Sequence, residues 1–230
     1  KNFAQKNKIL TFDHDPNIGG RFSIFSITAL LPLISAGFSI TVILNSFKKA
    51  KKLFLKNHIK LSEYISCSIA YEKKHNLNIL VGLSYHDKIN VLNEWYRQIF
   101  AESLGKNKKA INYISSYGSI DQHSQFQLYI DGPYDKHFNF FKIKNKNKAI
   151  ISNASLTKGY NLMSTLEDGA IKTLQQKKFL VTQISIDDDF NSYCYLLFYL
   201  IFDIYLRSKY ENINFLDQPA VEILKKNTKA

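Results

Sequence analysis

Cysteine is almost missing from this sequence. Its two examples, Cys67 and Cys194, sit in apolar or amphipathic stretches, too few for a disulfide framework or a thiolate metal cluster and in keeping with a reducing cytoplasm. The opening residues lack the basic, apolar, small-residue succession of a secretory signal, and the first of them is Lys rather than Met. The chain is therefore expected to start within a longer protein. No internal repeat is visible. Acidic residues are outnumbered, 19 against 31 Lys and Arg, for a net charge of +12, which draws anions of any kind. Clustered Arg and interleaved aromatics are nevertheless missing from the basic runs. The surplus is nearly all Lys and travels with Asn and Ile, as in the low-complexity run from Lys142 to Lys148, read as a surface turn. No nucleic-acid partner is expected on this pattern.

Charge is also absent from Phe22 to Leu44, a stretch of 23 positions long enough for a hydropathy scan to flag as a membrane span. Pro32, Gly37 and the repeated Ser and Thr (Ser23, Ser26, Thr28, Ser35, Ser39, Thr41) count against that reading, though composition alone leaves it open.

What is present is enough apolar residue, 45% over 230 positions, for one large domain or two small ones with a proper core. Residues 9 to 13 read as a short strand. Residues 46 to 57 and 60 to 75 read as two Lys-bearing amphipathic helices. The run Asn78 to Leu83 is continuously apolar between turn residues, which suits a central strand of a parallel sheet. From 88 to 104, Ile89, Leu92, Trp95, Tyr96, Ile99 and Phe100 form one apolar helical stripe. Further strands are expected at 138 to 143 and 179 to 186, and further helices at 156 to 177 and 192 to 206. This alternation predicts a three-layer α/β fold with a mostly parallel sheet.

Three segments hold residues suited to chemistry. Gln98 and Glu102 lie four apart on the helix of residues 88 to 104, so they share a face near its end. Ala101 and Leu104 flank Glu102 with apolar surface, and desolvation there raises a carboxylate toward the range of a general base. His123, in Asp121-Gln122-His123-Ser124, is expected in the first turn of a helix, where neighbouring acid and amide groups orient an imidazole. In the tail, Pro219 suits the first turn of a helix, with Asp217 as its cap. Taken singly, each segment reads more readily as ordinary structural or solvated surface, and none by itself points to an enzyme.

In order along the chain, four blocks resemble the glucose-6-phosphate isomerase family. They are Gly19-Gly20-Arg21-Phe22-Ser23 with Ala29 to Pro32, Trp95 to Lys106, Gly118 to Gly132, and Asp217 to Lys225. The matches run from about residue 9 to about residue 226. The resemblance implies a sugar-isomerase (SIS) α/β/α domain over 1–230, with added C-terminal helices, forming the C-terminal half of an enzyme of glycolysis and gluconeogenesis. It implies reversible conversion of glucose 6-phosphate to fructose 6-phosphate by ring opening and a cis-enediol proton transfer, without metal or organic cofactor. By position in the matching blocks, Glu102 resembles the proton-transfer base, Arg21 the guanidinium that stabilises the enediolate, His123 the residue assisting ring opening and Lys225 its lysine partner. Gly20, Gln98 and Gln218 resemble substrate contacts. A cytoplasmic homodimer follows from the same resemblance, with His123 crossing to the neighbouring subunit's site. So does a buried helix for Phe22 to Leu44 in place of a membrane span. The phosphate-binding half of the family lies upstream of the blocks matched here. Ala220 and Leu224 stand where the family tail, Gln-x-Gly-Val-Glu-x-Gly-Lys, has glycines, which bears on where Lys225 can sit. A non-catalytic sugar-phosphate-binding or regulatory module of the same fold is the alternative.

Overall fold

The computed structural model describes residues 2–144 and 154–228. Four strands, β1 (Ile79–Ser84), β2 (Asn112–Tyr117), β3 (Lys136–Lys144) and β4 (Leu180–Asp187), form a sheet in the order β2-β1-β3-β4. All neighbouring pairs are parallel. The apolar run that predicts a central strand is β1, which is paired on both sides and covered on both faces.

On one face lie α3 (Ile40–Lys74), α4 (Asp87–Leu104) and α8 (Phe190–Glu211). Their Ile65, Ile69, Ile99, Phe100, Leu200 and Ile204 pack with Leu80 and Phe141 of the sheet. On the other face, α6 (Phe126–Asp131) and α7 (Ala154–Gln176) close over Val81, Leu83, Phe138 and Phe140 through Tyr129, Ile171 and Leu174. The seven-residue α5 (Gly118–Ser124) follows β2, while α1 (Asn2–Lys6), α2 (Ile27–Ser35) and α9 (Pro219–Thr228) lie nearer the ends of the chain. This is the three-layer α/β architecture expected. Gly82 of β1 is required by close approach, because a Cβ there would overlap the Tyr113 hydroxyl and stand 2.6 Å from Asn93 Oδ1.

A polar network crosses the first layer. Arg207 of α8 forks onto Glu72 of α3, at 2.7 and 3.0 Å, and donates Nε–H to Asp203 at 2.9 Å. Asp203 also accepts from Tyr96, and Glu72 contacts His137 Nδ1 at 2.6 Å. Burial alone would raise the Glu72 carboxyl, but the Arg207 charge and the bonds from His137 and Arg207 outweigh it and hold the group down to about 2.

Several expectations are corrected. Residues 9 to 13 form no strand; Ile9, Leu10 and Phe12 are exposed, and none of the described strands pairs with them. The two helices predicted over 46 to 75 are one helix of 35 residues, because nothing between them breaks it. The stretch from Phe22 to Leu44 is not one buried helix. It divides into a 3₁₀ turn (Gly20–Phe25), α2 and the start of α3, and no residue of α2 is buried. Gly37, at φ +89°, ends α2 in a Schellman turn: Gly37 N–H bonds to Ile34 O and Phe38 N–H to Leu33 O. Among the described residues no helix is long and apolar enough to cross a membrane. Of the run from Lys142 to Lys148, residues 145–148 lie outside the described residues; Lys142 and Lys144 end β3 rather than forming a turn.

Candidate active site

The helix α4 ends where its sequence changes from apolar stripe to Gly105. Gly105 N–H bonds to Ala101 O at 2.9 Å, and any Cβ at position 105 would sit 2.6 Å from that same oxygen. The last turn therefore stops there, with Gln98 and Glu102 side by side as their spacing predicts. Gln98 Nε2 donates to Glu102 Oε1 at 3.0 Å. The apolar flanking of Glu102 is one-sided: Leu104 is buried while Ala101 faces solvent, and 30% of the Glu102 side chain is exposed.

Arg21, in the 3₁₀ turn near the N-terminal end of the chain, reaches this helix end across 82 residues of sequence. Its Nε–H donates to Ser103 Oγ at 3.1 Å. One terminal nitrogen donates to the carbonyls of Phe215 at 2.6 Å and Asp217 at 3.0 Å. The other donates to Gln218 Oε1 at 3.1 Å and lies 3.8 Å from Glu102 Oε2. A guanidinium has five N–H donors, and four are engaged in these bonds. The fifth, on the nitrogen nearest Glu102, has no acceptor within hydrogen-bond range among the described residues. The Arg21 side chain is 7% exposed and that of Glu102 30%, so this N–H lies beside a carboxylate that solvent still reaches.

Of the remaining predicted residues, only some adjoin this pair. Gln218 joins it directly. Gly20 precedes Arg21 in the same turn, and a Cβ built on it meets nothing within 4 Å, so the backbone there has an open side. Lys225 lies on α9, seven residues past Gln218, or about 10 Å along a helix axis. Ala220 and Leu224 face solvent. His123 is exposed in the last turn of α5, not the first. The reason is Asp121, whose Oδ2 accepts from Ser116 Oγ and Tyr117 N–H, both at 2.8 Å, and so starts the helix earlier, at Gly118. Among the described residues no hydrogen bond or ion pair joins His123 to Arg21, Gln98 or Glu102. No set of three His, Cys, Asp or Glu side chains among them converges as metal ligands would.

No protein-family model matches the chain. Individual proteins do. Over 222 residues, 90% of this chain and 54% of the relative, it is 34% identical to the glucose-6-phosphate isomerase of Campylobacter jejuni subsp. jejuni. Over 149 residues, 63% of this chain and 36% of the relative, it is 38% identical to the glucose-6-phosphate isomerase of Methanocaldococcus jannaschii. This chain is a half-length relative of the glucose-6-phosphate isomerases. The crystal structure of a glucose-6-phosphate isomerase from Chlamydia trachomatis superposes on 95% of this chain and 48% of its own, with a TM-score of 0.70 at 18% identity, which supports the shared fold. The chain thus spans about half the length of the curated glucose-6-phosphate isomerases it matches.

Sequence reasoning passed over Ser103, Lys106 and the Phe215 and Asp217 carbonyls. Ser103 is fully buried beside Arg21. Lys106 donates to Asn214 O and pairs with Asp217 at 2.6 Å, holding the Asp217 carboxyl below its usual range. Lys106 belongs to the isomerase-like block around Glu102, and that membership is the one sequence signal that marks it.

Proposed function

We propose that this chain supplies the proton-transfer half of a cytoplasmic glucose-6-phosphate isomerase acting in glycolysis and gluconeogenesis. The observation that carries the reading is the uncommitted Arg21 N–H beside the Glu102 carboxylate. An aldose-ketose isomerisation needs a base that reaches both C1 and C2 and a fixed cation where negative charge develops. In the open-chain sugar, Glu102 takes the proton from C2. The C–H electrons form the C1–C2 double bond, and the former C1 carbonyl oxygen gains charge beside Arg21. The C2 hydroxyl proton passes to the C1 oxygen, and Glu102 returns its proton to C1 as the C2 oxygen becomes the carbonyl. Gln98 holds Glu102 from the next turn of α4, and Gln218 and the open side of Gly20 contact the sugar.

In this reading ring opening falls to His123, with Lys225 as its partner. Because His123 is exposed and unconnected to the Arg21 and Glu102 pair, its role requires the site of a neighbouring subunit, hence a homodimer. The substrate's phosphate is held by the part of the relatives' length that this chain does not span.

The test is a coupled assay of fructose 6-phosphate conversion, run on this chain alone and together with a polypeptide covering the rest of the relatives' length. Turnover is expected in the combined sample, and Glu102→Gln should reduce it at least ~10²-fold. Near-normal turnover in that variant would remove Glu102 from the chemistry. A combined sample that is folded, dimeric and inactive favours the non-catalytic sugar-phosphate module instead.

A further inference from the structure

Arg21 is oriented chiefly by a segment nearly two hundred residues away that has no regular structure of its own. Residues 213–218 link α8 to α9 and belong to neither helix. Internally they are held by two contacts, Asn214 Nδ2–H to Asp217 Oδ2 and Leu216 N–H to Asn214 Oδ1, both at 3.1 Å. The Phe215 ring packs edge-on against Phe22 and Tyr205. Polar attachment to the end of α4 comes from Lys106. Its ammonium, on a side chain 11% exposed, bonds to Asn214 O and forms a 2.6 Å ion pair with Asp217. Lys106 follows Gly105 and so lies just past the helix end that carries Gln98, Glu102 and Ser103. One side chain therefore ties the general-base candidate's helix to the segment whose carbonyls grip the guanidinium.

We infer that Lys106 is a positioning residue: it clips the segment Asn214–Gln218 in place so that four of the Arg21 N–H groups are bonded and the fifth is aimed beside Glu102. It is not placed against substrate. The Lys106 ammonium is largely buried while the Asp217 carboxylate is 53% exposed, and a charge-assisted bond from such an ammonium to the Asn214 carbonyl is strong enough for the task. The consequence for catalysis rests on the isomerase reading above; the clip itself does not.

The sequence has three arginines, Arg21, Arg97 and Arg207, so the guanidinium resonances of the full chain labelled with ¹⁵N-arginine can be resolved individually. The rate of rotation about the Cζ–Nε bond of Arg21 should be slow in the parent chain. It should rise at least about tenfold in Lys106→Met and return toward the parent rate in Lys106→Arg, as expected when one charge-assisted bond is lost and regained. Arg207, held by Glu72 and Asp203, should be unchanged throughout. Asp217→Asn cuts the same clip from its exposed end, and decides the matter should Lys106→Met not fold. Unchanged Arg21 rotation in these variants, or failure of Lys106→Arg to restore it, overturns the inference. In the active combined sample, Lys106→Met should lower kcat with little change in KM; faster rotation with unaltered kcat would overturn the positioning role. A sample without turnover in any variant refutes the isomerase reading, while the rotation rates still decide the clip.

Discussion

Two arginines in this molecule meet carboxylates in opposite ways. Arg207 spends its fork on them, bidentate to Glu72 and bonded through Nε to Asp203, inside a core that excludes water. Arg21 is almost as well sheltered but, among the described residues, bonds to a hydroxyl, an amide and two carbonyls, all neutral, while the Glu102 carboxylate stays at 3.8 Å. A guanidinium neutralised by contact has its charge consumed by the fold; one held by neutral acceptors is fixed in direction yet keeps its charge for something else. The difference separates an arginine that supports structure from one suited to a ligand, though both are buried and both are hydrogen-bonded.

The comparison breaks most sharply in stability. Arg207→Met leaves two carboxylates buried without their cation and should cost about 3–5 kcal/mol in urea unfolding. Arg21→Met should cost no more than about 1–2 kcal/mol, because the Phe215 and Asp217 carbonyls can turn to water. Equal losses would erase the distinction. Next in size is the acid limb. Glu72 is held at about 2, against 4.5 for a free carboxyl. Its contribution is therefore complete above pH 4.5 and is lost as pH falls toward 2, a change of about 3 kcal/mol. Chemical denaturation at pH 6 and pH 3 should show about 2 kcal/mol of this loss in the parent and correspondingly less acid sensitivity in Glu72→Gln.

The smallest effect sharpens the comparison from the carboxylate side. Glu167 is also buried, but its cation, Lys142, is 3.7 Å away, and its Oε1 has no hydrogen-bond partner among the described residues. Burial, only partly offset by Lys142, pushes this group up to about 7. The sign is opposite to that of Glu72: stability is full below pH 4.5 and declines as pH rises toward 7. Glu167→Gln should therefore gain about 1–2 kcal/mol on the parent between pH 5 and 8, read from the same denaturation curves. A flat difference across that range would show the carboxylate to be compensated.

Much of this was legible in the sequence. β1 and α4 follow from a continuous apolar run and a single stripe, signals that tertiary context reinforces. β2 is legible only afterwards: as an edge strand it needs little apolar surface, and its Ser115 and Ser116 are satisfied by Glu94 and Asp121 rather than by a core. In the site, the contact of Gln98 with Glu102 follows from helical spacing. The role proposed for Arg21 rests on resemblance alone, because the groups that orient it include two backbone carbonyls, which carry no residue-type signal. The helical position of His123 was misjudged because Asp121, expected to orient the imidazole, instead caps the turn into α5.

The bonds that hold Arg21 span 82, 194, 196 and 197 residues of sequence, whereas the last strand of the sheet ends at Asp187. During synthesis the whole α/β sheet can therefore assemble while the ribosome still holds the closing segment, and the guanidinium takes its final bearing only when residues 215 to 218 emerge. A chain cut short after α8 would keep its sheet and pack its core, yet hold an arginine with no fixed aim.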